Sequence, residues 1–504
     1  MSTPNAYTEF LRMWGIVDDL NHSSAVLQWD QETYMPAQGA TARGKILATL
    51  AGIHHDKMVS AEMSDSLAAA LEEVAPDSVE AAQLEAAKIE IERAAKIPAA
   101  LAISLAEAES AGLVAWQQAR ANADFSKFQK QLELLVDLNR QKAAAIADGG
   151  SAYDAMLNLY EPGTTEAELV PMFGELRQVL SPVIRAVSEQ TPVDESAAQG
   201  YFDPVAQKNF CQMVAKKMGY NFDAGRLDKT THPFCTTFGH NDVRITWRWQ
   251  ENDIRPAMYG VMHEAGHGLY EQGLPADWAR TPLWNASGLG MHESQSRLWE
   301  NMVGRSESFW NWAMPHFQKA FPDKAGLTPE QMFPALNTCK PSLIRVEADE
   351  ATYNLHVAVR FEIERQLFAG SVDVCDLPEL WDQTYEDLLG IRAESISDGV
   401  LQDIHWAMGA FGYFPTYSIG NLVCAQLFEK ASADIVDLQS NIAAGEFEPL
   451  LQWLRTNVHQ HGRRYPTKKL VEMATGKPLS AEPLLRHLTG LAERVYGVSV
   501  SAPQ

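Results

Sequence analysis

The chain has 504 residues, with 41 Lys+Arg against 65 Asp+Glu and a formal net charge of −24 at pH 7. An apolar share of 46% beside 21% charged residues is ordinary globular composition and excludes a disordered chain. The negative balance argues against a nucleic-acid partner, because phosphate-backbone binding needs clustered Lys and Arg to displace counterions.

Five cysteines (Cys211, Cys235, Cys339, Cys375 and Cys424) are odd in number, scattered and never in a CxxC arrangement. That fits reduced thiols better than a disulfide framework or a Cys-type zinc site. The opening residues lack the basic and apolar regions of a signal peptide. No uninterrupted apolar run approaches the ~20 residues of a membrane span. The expectation is a cytoplasmic protein without a membrane partner.

In chain order, Leu27-Gln-Trp-Asp-Gln-Glu-Thr-Tyr-Met-Pro36 is denser in aromatic and polar residues than a helix face requires. Locally it reads as a buried Trp29 with Asp30 capping a turn. Residues 60–150 are rich in Ala, Glu, Leu, Lys and Gln, with apolar positions such as Leu132, Leu135 and Leu138 at helical spacing. Pro76 and Pro98 punctuate them as helix breaks. About 1–150 is therefore expected to be an N-terminal cover of antiparallel helices whose charges are solvated faces.

From about 200 the chain carries more Gly, Pro, Trp and His. In Asp242-Val-Arg-Ile-Thr-Trp-Arg-Trp249, apolar Val243, Ile245, Trp247 and Trp249 alternate with Arg244, Thr246 and Arg248, the period-2 pattern of a strand with one buried face. Residues 290–370 and 380–455 read as long helices separated by turns. With no repeat, low-complexity tract or linker, 1–504 is expected to be a single, mostly α domain whose catalytic part is about 200–504.

The segment His263-Glu264-Ala-Gly-His267 places two imidazoles one helical turn apart on one face. Such a pair binds one zinc ion, with Glu264 beside the open position as a base for water. Glu293, in Gly290-Met-His292-Glu293-Ser-Gln-Ser-Arg297, is the candidate third ligand. His292 is the alternative, and is better suited to supporting a ligand than to being one. The five-residue pattern alone arises by chance roughly a few per cent of the time in a chain this long. Its setting, strand first and carboxylate-bearing helix after, favours a catalytic zinc. An edge strand beside the metal helix is expected to hold a substrate backbone by strand addition.

With these residues the sequence resembles the thermostable-carboxypeptidase-like zinc carboxypeptidases of peptidase family M32. The resemblance extends to Asp242-Val-Arg244-Ile-Thr246, Ile344-Arg345-Val-Glu-Ala348-Asp349, Gly399-Val-Leu-Gln402-Asp403-Ile-His405-Trp406 and His461-Gly-Arg463-Arg464, and to the Trp29 to Pro36 segment. It spans about residues 10 to 495, with no departure at these positions. It implies a helical zincin-like metallopeptidase fold around a deep central groove, with one short strand region beside the metal helix. It also implies a homodimer, one Zn²⁺ per chain (with Co²⁺ able to substitute), and broad-specificity removal of single amino acids from peptides with a free C-terminus. Its zinc ligands carry over onto His263, His267 and Glu293, and its general base/acid onto Glu264.

For the developing oxyanion the candidate donors are Tyr413, ranked above Tyr417, and His405. A terminal carboxylate is best recognised by an arginine fork, and Arg345 leads that group. Arg463 and Arg464 are placed at the groove's far end, and Arg244 and Thr246 on the strand face near the metal. The plainer reading of Arg345 is an ion pair with Asp349, four residues on. Asp403 or Asp349 is the candidate to orient a metal-bound histidine. The rival readings are an endo-acting oligopeptidase with the same metal site and a helical scaffold with a closed structural zinc.

Overall fold

The computed structural model of the protein describes residues 5–499. Helices α1 (Ala6–Thr33), α2 (Ala40–Met58), α3 (Ala61–Glu73) and α4 (Val79–Lys96) open the chain. Asn5, Ser60 and Ser78 start α1, α3 and α4, each accepting a hydrogen bond from the amide three residues on. The apolar residues of these helices, including Phe10, Trp14, Met63, Leu67 and Leu84, form a cluster of their own. Polar links tie it to the rest: Asp19 to Arg280 at 2.6 Å, Tyr34 to Asp228, and Glu90 to Arg463.

Trp29 is buried in this region, as expected, but Asp30 caps no turn. Asp30 lies inside α1 and its carboxylate pairs with Arg43. The backbone carbonyl of Asp30 closes the helix instead, accepting from Tyr34 and Met35.

Helices α5 (Ala99–Asn122) and α6 (Ser126–Ile146) form a hairpin whose inner residues, among them Leu105, Trp116, Leu132 and Leu135, belong to the main core. By length and composition α5 is apolar enough to cross a membrane, a feature the search for uninterrupted apolar runs missed because Glu107 and Glu109 break the run. One face of α5 is nonetheless tied into the protein: the Trp116 indole donates to the Leu401 carbonyl at 2.9 Å.

Next come α7 (Ala152–Leu157), α8 (Glu166–Ser188), α9 (Pro204–Met218) and a three-stranded sheet of β1 (Leu227–Lys229), β2 (Cys235–Thr237) and β3 (Val243–Trp247). The strand order is β1-β3-β2, with β1 parallel and β2 antiparallel to β3. The expected strand is therefore present, but it is central. Both its edges are occupied, so it cannot take up a peptide; β1 and β2 are the outer strands, each pairing with β3 on one side. Three-residue strands are too short for alternation to reveal, which is why the partners were not anticipated.

Helix α10 (Arg255–Glu271) packs on β3 and is followed by α11 (Leu289–Arg297), which continues without a break into a π-helical stretch, Leu298–Gly304. The remaining helices are α12 (Glu307–Ala320), α13 (Pro329–Leu336), α14 (Glu350–Ala369), α15 (Leu377–Leu389), α16 (Pro415–Asp434), α17 (Leu438–Ala443), α18 (Glu448–Asn457), α19 (Thr467–Thr475) and α20 (Glu482–Tyr496). The helices expected over 290–370 and 380–455, separated by turns, are present, and the longest gaps between them are at 337–349 and 390–414. Pro341 and the positive-φ glycines Gly390, Gly409 and Gly412 break them, although apolar residues continue through both gaps.

Glycines let the ligand-bearing helices touch. A Cβ on Gly266 of α10 would lie 2.6 Å from the Gln295 carbonyl oxygen of α11. A Cβ on Gly420 of α16 would lie 2.6 Å from Cγ of Glu293. Backbone approach of this kind is available only to glycine, and it presses α11 between its neighbours.

Candidate metal centre

Helix α10 presents His263 and His267 with ring centroids 4.9 Å apart, and α11 brings Glu293 to them. Oε2 of Glu293 lies 3.5 Å from Nε2 of each histidine. Ligands bonded to one ion at about 2 Å stand roughly 3 to 4 Å apart, so these atoms fit a single cation. Glu264 faces the same cluster and is buried. Burial raises its carboxyl to about 7, the range suited to a general base at neutral pH.

The surrounding charges support a cation here. Burial disfavours a protonated His263, yet Glu293 and Glu300 outweigh burial and hold it up at about 9. The carboxylates thus call for positive charge where the ligand atoms converge. Burial, reinforced by His292, holds His267 down at about 3, in the neutral form that a metal ligand requires. Donor type, convergence and charge all fit a divalent ion.

The supports were only partly foreseen. Nδ1 of His263 lies 2.8 Å from Oε2 of Glu300, on the π-helical stretch, which leaves Nε2 for the ion. Burial alone would raise Glu300, but Arg297 and His263 outweigh it and bring it to about 2. Arg297 donates to Oε1 of Glu293 at 2.7 Å and turns the other oxygen toward the histidines. His292 stacks on His267 with centroids 4.2 Å apart, while its Nε2 lies 2.9 Å from Glu271. It thus sits beside the histidine pair, and Glu293 is the residue that completes a three-residue cluster able to hold a metal ion.

Neither Asp403 nor Asp349 orients a metal-site histidine. Asp403 bridges Arg345 and Arg360, at 2.7 Å from each. Asp349 caps α14, accepting from the Ala351 and Thr352 amides at 3.0 Å. Arg345 therefore pairs with Asp403, 58 residues away, and not with Asp349. Glu300, Arg297, Tyr353 and Glu271 were missed as site residues. The one signal for Glu300 was its acidity seven residues after Glu293, two helical turns along on the same face.

The other candidates fall into two groups. Arg345, His405, Tyr413 and Tyr417 are gathered together: Tyr417 lies 3.3 Å from Nε2 of His405, its ring centroid is 5.4 Å from that of Tyr413, and the Arg345 guanidinium sits 4.9 Å from the Tyr417 ring. Burial and then the charge of Glu293 raise the Tyr413 hydroxyl's pKa, which keeps the phenol protonated. Tyr353 links them to α11, accepting from Arg345 at 2.9 Å while Arg297 covers its ring at 4.5 Å. Burial, only partly offset by Asp403, lowers His405 to about 4, so it is neutral at pH 7.

The second group is engaged elsewhere. Arg244 pairs with Asp242 and lies over Trp29 at 4.4 Å. Thr246 is fully buried and exchanges hydrogen bonds with the Phe234 backbone. Arg463 binds Glu90 and the Pro282 carbonyl, and Arg464 reaches the Asp77 carbonyl.

The model of the Carboxypeptidase Taq (M32) metallopeptidase family matches residues 10–491. The chain belongs to this family. It is 40% identical to thermostable carboxypeptidase 1 of Thermus thermophilus over 99% of this chain and 100% of that one. It is 36% identical to carboxypeptidase 1 of Bacillus subtilis, covering 97% and 98% of the two chains. The crystal structure of the M32 carboxypeptidase from Deinococcus radiodurans R1 superposes with a TM-score of 0.95 at 39% identity, covering 98% of this chain and 100% of that one. The M32 chain described here is a metal-dependent carboxypeptidase with the mostly helical fold of its family.

Proposed function

We propose that this carboxypeptidase holds one Zn²⁺ on His263, His267 and Glu293 and releases single residues from peptides whose terminal carboxylate is recognised at Arg345. The observation that carries this reading is a charge imbalance. Two buried guanidiniums, Arg345 and Arg360, share one carboxylate, Asp403, and His405 beside them is neutral, leaving positive charge in a group that Tyr353 links through Arg297 to Glu293. Hydrogen bonds to Asp403 and Tyr353 engage three of the five N–H donors of Arg345, and the others suit a carboxylate.

A divalent ion at this site supplies Lewis acidity and makes water more acidic. Glu264 takes a proton from the attacking water and delivers it to the departing amine. Tyr413, protonated at neutral pH, donates its O–H to the developing oxyanion, with His405 as the neighbouring donor. The outer edge of β2 carries the scissile peptide's backbone; β2 packs against α10, the helix that bears Glu264, which supports its nearness to the base. Co²⁺ substitution, broad terminal specificity, a homodimer and a cytoplasmic location belong to the same proposal.

Mass spectrometry of peptides with free and amidated C-termini, treated with zinc-reconstituted enzyme and with Glu264→Gln, tests it. The expected result is a ladder of single losses from the free forms only, absent with the variant. Internal cleavage of both forms would make the protein an endo-acting oligopeptidase.

A further inference from the structure

We propose that Glu364 is a positioning residue for the reaction, clamping both ends of the segment that carries His405 and Tyr413. The proposal rests on the reading of those two residues as substrate-side groups.

Glu364 is completely buried on α14 and takes no part in the chemistry described above. Its Oε1 accepts from the Trp406 indole N–H at 2.8 Å. Its Oε2 accepts from the Gly412 amide at 2.9 Å and from the Tyr153 hydroxyl at 2.8 Å. Trp406 directly follows His405, and Gly412 directly precedes Tyr413. One carboxylate thus fastens the residue beside each candidate donor.

Between the two anchors the chain reverses through Gly409 at φ 66° and Gly412 at φ 81°. A Cβ on Gly412 would lie 2.7 Å from the Met156 carbonyl carbon, so the turn is pressed directly onto α7. One helical turn before Glu364, Arg360 holds the start of the same segment, donating to Gln402 at 2.7 Å and to Asp403 at 2.8 Å. Helix α14 therefore holds residues 402–412 from a single face, with Arg360 and Glu364 at i and i+4.

The residue type matters to this argument. Packing alone would be met by an apolar side chain, and an unpaired buried carboxylate is costly. Burial raises Glu364 to about 7 even with three donors present, so the site bears that cost. Glutamine offers one acceptor oxygen and an NH₂ group, so it cannot serve donors on both sides. Two acceptor oxygens directed at two chain segments are what the clamp requires.

The test measures kcat, KM and metal content for Glu364→Gln, Tyr413→Phe and the double variant of the zinc-loaded enzyme. Glu364→Gln is expected to lower kcat about tenfold or more, with KM within about twofold and metal content unchanged. In the Tyr413→Phe background the same change is expected to cost little further, because the group it positions is already gone. An equal fold-loss in both backgrounds, or no loss with Glu364→Gln while Tyr413→Phe is damaging, would overturn the positioning role alone. A fully active Tyr413→Phe would overturn the tyrosine assignment and this proposal with it. Should Glu364→Gln fail to fold, Trp406→Phe removes a single anchor, and the same background dependence is expected of it.

Discussion

Oε2 of Glu300 lies 2.8 Å from Nδ1 of His263, so a π-helical residue fixes the orientation of an α-helical ligand. Arg297 and Arg305 hold Glu300 in turn, at 3.4 and 3.3 Å. Glu300→Gln is expected to weaken metal binding by about 10- to 100-fold, the usual effect of removing a carboxylate behind a ligating histidine. Chelator competition with zinc measures it, and an unchanged affinity would show the contact to be incidental.

Gly266 offers a case in which two effects oppose each other. Alanine gains about 1 kcal/mol of helix propensity over glycine. Its Cβ, however, would lie 2.6 Å from a backbone oxygen of α11, and overpacking costs about 1–3 kcal/mol. Clash against backbone has no flexible side chain to relieve it, so Gly266→Ala is expected to be net destabilising. Gly420→Ala, which presses on Glu293 itself, is expected to lower metal affinity as well. Denaturant midpoints and zinc titration separate the two; a stabilised Gly266→Ala would mean that the helices part easily.

Arg345→Ala is expected to raise KM far more for peptides with a free C-terminus than for amidated ones. The variant also leaves Asp403 with one fewer partner in a buried setting, where breaking an ion pair costs about 3–5 kcal/mol. The ratio of the two losses is therefore the informative quantity. Equal losses on both peptide forms would assign Arg345 to the scaffold.

Burial alone would raise the pKa of Asp403, but Arg345 and Arg360 outweigh it and hold it well below the ordinary carboxylate range. A carboxyl with a depressed folded-state pKa adds stability above its unfolded value of about 3.9, and that stability is lost as pH falls toward the folded value. Asp403→Asn is expected to lower the urea midpoint at pH 7 and to flatten its decline below about pH 4. Parallel wild-type and variant curves through that range would assign the acid sensitivity to other groups.

The convergence of His263, His267 and Glu293 was legible because two histidines four apart share a helix face whatever surrounds them, and the carboxylate helix followed in the same sequence pattern. The supports were harder to read. Asp403 meets Arg345 across 58 residues, a relation fixed only by how α14 packs. The position of β3 in its sheet depends on strands of three residues. Glu300 shares the face of Glu293 seven residues on, but its meeting with Nδ1 of His263 is fixed by how α10 and α11 pack. Where packing from elsewhere decides the partner, as for Thr246 and Arg463, residue type and spacing carried no information about it.

The π-helical stretch sets a constraint on length as well as on residue type. Its hydrogen bonds span five residues where an α-helix spans four, so it accommodates a longer winding between Arg297 and Arg305. Arg305 now stands five residues after Glu300, one turn of the π winding, and meets it at 3.3 Å. Deleting one residue between Glu300 and Arg305 would leave the two on one face only if the winding also shortened to that of an α-helix, where residues four apart are neighbours. Length and winding are therefore tied together here, and because every residue from 298 to 304 is buried, residue type is tied to them as well.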